Sequence, residues 1–257
     1  NGETLSSDGL SIFPGGKGLN QSIALAKAGA EVYHAGCIGQ DGEILTDILR
    51  ENHVDLSCIR YVDAKNGHAI IQVNKQGENS IFLYSGSNEM IEKEHVDEVL
   101  AQFAVGDILL LQNEINQLEY LIEKAYQMGM CIMLNPSPCN EKIFRLDLHK
   151  VTYLILNEIE AKDITGCEGA EEALAFFDKQ YPEMKIMLTL GKNGCIYRDK
   201  DTKAYHPIFE VDAVDTTAAG DTFTGYFAAG LAEGMDIKDI LKTKLEIFLV
   251  LKVHLSE

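Results

Sequence analysis

The chain has no CxxC pair, no apolar run long enough to cross a bilayer, and little positive charge. Each absence excludes something. Cys37, Cys58, Cys131, Cys139, Cys167 and Cys195 are scattered, which reads as reduced, buried thiols and not as a disulfide framework. A membrane-spanning helix needs about 20 apolar residues, and the opening residues carry no secretory pattern. No membrane partner is expected, the expected compartment is the cytoplasm, and the sequon Asn20-Gln21-Ser22 carries no expectation of glycosylation. With 22 basic against 40 acidic side chains, the formal charge is −18. An acidic surface argues against nonspecific nucleic-acid binding and against attraction to anionic lipid. It does not exclude an anionic small ligand, because backbone N–H groups can hold phosphate locally.

The familiar nucleotide loops are missing as well. There is no GxGxxG, which argues against a dinucleotide-dependent oxidoreductase. Phe13–Asn20 (FPGGKGLN) is not a Walker A loop: Ser11 stands at the first glycine position and Gly18 replaces the Ser/Thr. No internal repeat or low-complexity segment is visible.

What is present is an alternation of strand and helix signals. Glu31–Ile38, Asp107–Gln112, Met130–Leu134, Val151–Leu156 and Lys185–Leu190 read as strands. Helical spacing follows in Gly42–Asn52, in Gln117–Met128 and from about Ile159. Such alternation predicts an α/β fold with a parallel sheet covered by helices on both faces. A length of 257 residues, 46% of them hydrophobic, suits one such domain with a small appendage. The appendage has its own signal. His68–Val73 and Asn79–Tyr84 flank NKQGE, a hairpin without a crossover helix. With Thr4–Phe13 it predicts a small β sheet whose exposed edge would close over a site or pair with another chain.

Four stretches carry possible chemistry. FPGGKGLN leads into a helix and reads as a tight turn or as a ligand loop. In Asp215–Gly225 (DTTAAGDTFTG), Phe223, Tyr226, Phe227 and Leu231 predict a buried helix from about Thr222 to Glu233. Ala218, Ala219, Gly220 and Asp221 sit at its N-terminus, where backbone N–H groups lack internal partners and the dipole is positive. Small side chains there leave room for an anion; Asp221 as a plain N-cap is the alternative. Asn157–Ala161 (NEIEA) follows a buried strand, at the end where open α/β sheets bind ligands, or is a capping pair. Thr189–Gly194 (TLGKNG) leaves another strand end as a loop or a turn.

In this order, with NPSP at Asn135–Pro138, these stretches resemble the ribokinase (pfkB) family of carbohydrate kinases from Gly2 to about Gly234. The resemblance implies a three-layer α/β/α sandwich with a mostly parallel sheet. It implies a single kinase domain over 1–257, with lid strands at about 4–13 and 68–84, and a homodimer formed through the lid. It implies transfer of the ATP γ-phosphate to a sugar hydroxyl, with ribose favoured and fructose, deoxyribose or a nucleoside as alternatives. Asp221 matches the family's base, and Ala218, Ala219 and Gly220 its anion hole. Gly15, Gly16, Asn20 and Glu114 match sugar-binding positions, although Glu114 also reads as a solvated loop charge. Asn157, Thr189, Gly191 and Gly194, with Gly220, match nucleotide-binding positions. Glu160 matches a residue that holds Mg²⁺ through water, and Asp215 and Thr217 match a monovalent-cation site for K⁺. Two family features have no counterpart here: the first buried strand with its Asn-x-Asp segment, and the ending after about Gly234. They motivate a competing expectation, a binding protein with impaired catalysis.

Overall fold

A computed structural model describes residues 9–73, 79–207 and 218–244. The elements in chain order are α1 (Lys17–Lys27), β1 (Gly36–Ile38), α2 (Glu43–Glu51), β2 (Ile59–Tyr61), β3 (His68–Val73), β4 (Asn79–Tyr84) and α3 (Lys93–Leu100). Then come β5 (Ile108–Gln112), α4 (Leu118–Gln127), β6 (Cys131–Asn135), β7 (Tyr153–Asn157), α5 (Glu158–Thr165) and α6 (Ala170–Gln180). The chain continues through β8 (Lys185–Thr189), β9 (Cys195–Arg198), β10 (Lys203–His206) and α7 (Ala219–Ala232).

The main sheet has six strands in the order β10-β9-β8-β7-β6-β5. Strands β5 to β8 are parallel, and β9 and β10 are antiparallel additions. Strand side chains alternate between faces, and the sequence uses both. Ile132, Leu134, Leu154, Leu156, Ile186 and Leu188 enter one core, with Leu121 and Ile122 of α4 and Leu174 and Phe177 of α6. Met133, Tyr153, Ile155 and Met187 enter a second, with Ala24 of α1 and Tyr226 and Phe227 of α7. Two cores on opposite faces of one sheet make the three-layer sandwich the sequence predicts.

Helices α1 and α7 touch backbone to side chain. A Cβ built on Gly225 would lie 2.5 Å from Ala24 Cβ and 2.9 Å from the Gln21 carbonyl oxygen. No residue with a side chain fits there without pushing the helices apart. This contact fixes the relative height of the two helix N-termini.

Strands β3 and β4 form a two-stranded sheet apart from the six-stranded one. Register pairs Ile70 with Phe82 and Ile71 with Ile81, and all four side chains are exposed. The root of this hairpin is clamped. Buried Asn66 accepts from Gly39 N–H at 2.7 Å, and its own N–H donates to Asp41 Oδ1 at 2.8 Å. Ser87 N–H donates to the Lys65 carbonyl at 2.9 Å.

Some expectations change. Residues 9–13 form no strand: Leu10 and Phe13 are 90% and 81% exposed, and among the described residues no strand pairs with them to supply the ladder bonds that strand geometry requires. The rest of the expected Thr4–Phe13 strand, and the NKQGE turn, lie outside the described residues. Of Glu31–Ile38 only Gly36–Ile38 is a strand, paired in parallel with β2 in a separate two-stranded sheet. Among the described residues no helix is long and apolar enough to cross a membrane.

Candidate active site

The parallel strands end in polar residues: Gln112 on β5, Asn135 on β6, Asn157 on β7 and Thr189 on β8. Gln112 is in register with Asn135, and Asn157 with Thr189. Each follows an apolar run, so burial of the run brings an amide or hydroxyl to the carboxyl edge of the sheet. That edge is where open α/β sheets bind ligands.

Asp221 stands in the first turn of α7. Ala218 opens the helix in the left-handed region at φ 59°, and no side chain caps it. The Thr222 N–H is taken up by the Ala218 carbonyl at 2.9 Å, so the N–H groups before it have no bond within the helix. A Cβ on Gly220 would meet nothing within 4 Å. Among the described residues nothing obstructs this helix end, which is electropositive, as an anion site requires.

Both oxygens of Asp221 are held. Asn20 Nδ2 donates to Oδ2 and Gln21 Nε2 donates to Oδ1, each at 2.9 Å. Burial raises the Asp221 pKa above the ordinary aspartate value, while the two amides and the nearby Lys17 charge pull it down and Glu114 pushes it up. The result is a carboxylate that accepts a proton more readily than an exposed one, yet is oriented as an anion.

Gly15 and Gly16 lie just before α1, where a Cβ on either would meet nothing within 4 Å. Glu114, in the loop after β5, pairs with Lys17 through a 2.7 Å contact between Nζ and Oε1. On the far side of the edge, Asn157 and Glu160 form a reciprocal capping box. Glu160 N–H donates to Asn157 Oδ1 at 2.9 Å, and Asn157 N–H to Glu160 Oε2 at 3.0 Å. Within this capping box Glu160 is 7% exposed and held, and Asn157 is exposed at the sheet edge. Thr189 Oγ1 donates to the Leu156 carbonyl at 3.4 Å. Gly191 faces open space, whereas a Cβ on Gly194 (φ 88°) would lie 2.0 Å from the His206 carbonyl oxygen. Gly194 is thus demanded by the turn into β9, whatever else it does. Asp215 and Thr217 lie outside the described residues.

Comparison with known proteins decides the family. The family model for pfkB family carbohydrate kinases matches residues 1–243. The chain belongs to the pfkB family of carbohydrate kinases. This pfkB kinase is 36% identical to the ribokinase of Haemophilus influenzae over 252 residues, covering 94% of this chain and 81% of that relative. It is similar to the ribokinase of Cryptococcus neoformans in complex with ADP, at a TM-score of 0.81 and 33% identity over 95% of this chain and 84% of that one. It is also similar to the Arabidopsis thaliana ribokinase complexed with ribose and ATP, at a TM-score of 0.83 and 26% identity over 97% and 84%.

Sequence reading of this pfkB kinase missed three side chains at the site. Gln21 and Gln112 bond to one another at 2.6 Å beside Asp221, and Lys17 neutralises Glu114. A signal for Gln21 was available: a glutamine on a helix whose neighbours Leu19 and Ala24 read as core had to find a buried partner.

Proposed function

We propose that this chain catalyses transfer of the γ-phosphate of ATP to the 5-hydroxyl of D-ribose. The observation that carries the reading is Asp221, a half-buried carboxylate at an open helix N-terminus with both oxygens held by amides. The acceptor hydroxyl gives its proton to Asp221 as its oxygen bonds to the γ-phosphorus and the bond from that phosphorus to the ADP oxygen breaks. N–H groups of Ala219, Gly220 and Asp221, with Ala218 shaping the turn, stabilise charge on the transferring group. Gly15, Gly16 and Asn20 form the sugar side. Glu114 binds a sugar hydroxyl there, exchanging its bond to Lys17 for one to the sugar. Asn157, Thr189, Gly191 and Gly194, with Gly220, form the nucleotide side.

Among the described residues no group of three or more His, Cys, Asp or Glu could cage a metal. Glu160, buried and held in its capping box, suits an outer partner of a Mg²⁺ that phosphate oxygens and water would hold. Bound there, the ion would neutralise phosphate charge. We extend the reading to a K⁺ site at Asp215 and Thr217, and to one kinase domain whose β3–β4 hairpin is the lid. That hairpin is apolar on both faces, which suits covering a site with one and pairing with a second copy through the other. Six unpaired cysteines suit a reducing, cytoplasmic setting.

The test is ADP release with Mg-ATP and K⁺, comparing ribose, fructose, deoxyribose, adenosine and no sugar. A ribose-selective rate that vanishes in Asp221→Asn is expected. Binding without turnover by folded protein would replace the kinase reading with that of a binding protein, and selectivity for another acceptor would replace ribose.

A further inference from the structure

Gln21 is 1% exposed, and both ends of its amide are committed. Its Nε2 donates to Asp221 Oδ1 at 2.9 Å, and its Oε1 accepts from Gln112 Nε2 at 2.6 Å. The three residues come from α1, α7 and the last position of β5. An ionised carboxylate can only accept hydrogen bonds, so Gln21 must turn its NH₂ group to Asp221. The flipped amide would set a carbonyl oxygen against the carboxylate, a repulsive contact. The second bond selects between the two orientations, because Gln112 supplies a donor to the oxygen end. Room for Gln112 comes from α1 itself: its Oε1 would lie 3.3 Å from a Cβ on Gly18.

We propose that Gln112 and Gln21 form a positioning relay that fixes Asp221 in the orientation and charge state of a base. The proposal rests on the reading of Asp221 as that base. In it the central sheet reaches the reacting centre through two neutral amides, and neither glutamine touches the substrate. A neutral relay suits the place. It restrains a carboxylate without supplying a proton that could be transferred to it, and without adding a charge that would compete for the phosphate.

The charged groups facing Asp221 are Lys17 from α1 and Glu114 from the loop after β5. The His34 ring faces the same side of α1 as Gln112, since a Cβ on Gly18 would lie 3.6 Å from His34 Cε1 and 3.3 Å from Gln112 Oε1. It bonds to Ser22 Oγ at 2.8 Å, and burial holds it down at about 4, so it titrates near the acid limb. The limb is therefore read in a His34→Gln background, where a shift reports on Asp221 and its donors.

The experiment is kcat and KM against pH for Gln21→Met, Gln112→Met and the double variant. Loss of one charge-assisted bond is expected to lower kcat about tenfold near the limb. The acid limb should move to higher pH in both single variants, with kcat recovering well above it and KM for ATP unchanged. The double variant should be no worse than Gln21→Met. Gln21 packs between α1 and α7, so Gln112→Met, at a half-buried strand end, carries the test if Gln21→Met fails to fold. An unmoved limb in Gln112→Met, or additive losses in the double variant, would overturn the relay. Turnover surviving Asp221→Asn would instead overturn the base, and a dead Asp221→Asn with an unmoved limb would remove the relay alone.

Discussion

The two halves of the proposed site are built by different means. On the proposed base side, Asp221 is joined to Asn20 and Gln21 across sequence separations of 201 and 200 residues. On the proposed nucleotide side, Asn157 and Glu160 bond within three residues of one another. The first half exists only when α1 and α7 are docked; the second forms with its own helix. Transition-state chemistry demands fixed geometry, and the long-range network sits where we propose that chemistry occurs. On the proposed nucleotide side a locally assembled edge of amides and backbone is enough.

Perturbing each half should separate them. The largest effect belongs to Asp221→Asn, which removes the proposed base and should lower kcat by about a thousandfold, read in the ADP-release assay with nucleotide affinity retained. Gly225→Ala comes next. Its Cβ would overlap Ala24 and the Gln21 carbonyl, so it should destabilise the fold by about 1–3 kcal/mol. It should also lower kcat by lifting Asn20 and Gln21 away from Asp221; unchanged thermal stability would contradict this packing. Acid dependence is a gentler probe. A base works deprotonated, and burial raises the pKa of Asp221, so kcat should fall as pH drops through a value above that of ordinary aspartate, about 3.9. A limb at or below that value would mean that burial does not govern the group. The smallest effect is expected for Gly191→Ala. Its Cβ would enter open space at φ 52°, costing about 1–2 kcal/mol of backbone strain. It should raise KM for ATP while leaving KM for the sugar unchanged.

The same contrast explains what could be read from the sequence. Ile132–Leu134 and Leu154–Leu156 are apolar at every position because both faces of their strands are covered, so the parallel strands were legible. So was the β3–β4 hairpin, whose register joins His68–Val73 to Asn79–Tyr84. The capping box was legible because it is local, and Asp221 because its helix announces itself by periodicity. Strands β9 and β10 were not read: they are short and lack a helix between them. Gln112 was taken as the end of an apolar strand, because nothing in its neighbourhood names a partner 91 residues away.

The clamp at the root of the hairpin has a mechanical consequence. Asn66 and Ser87 tie the hairpin to the segment carrying Gly39 and Asp41, and a Cβ on Gly86 would lie 2.4 Å from the Asn66 carbonyl oxygen. A beam built into its support cannot swivel there. Any displacement of β3 and β4 would arise either from flexure along the two strands or from travel of the whole mounting, β1 and α2 included. In the second case a rotation at the mounting would carry both strands as one body while every hydrogen bond at the joint stays intact.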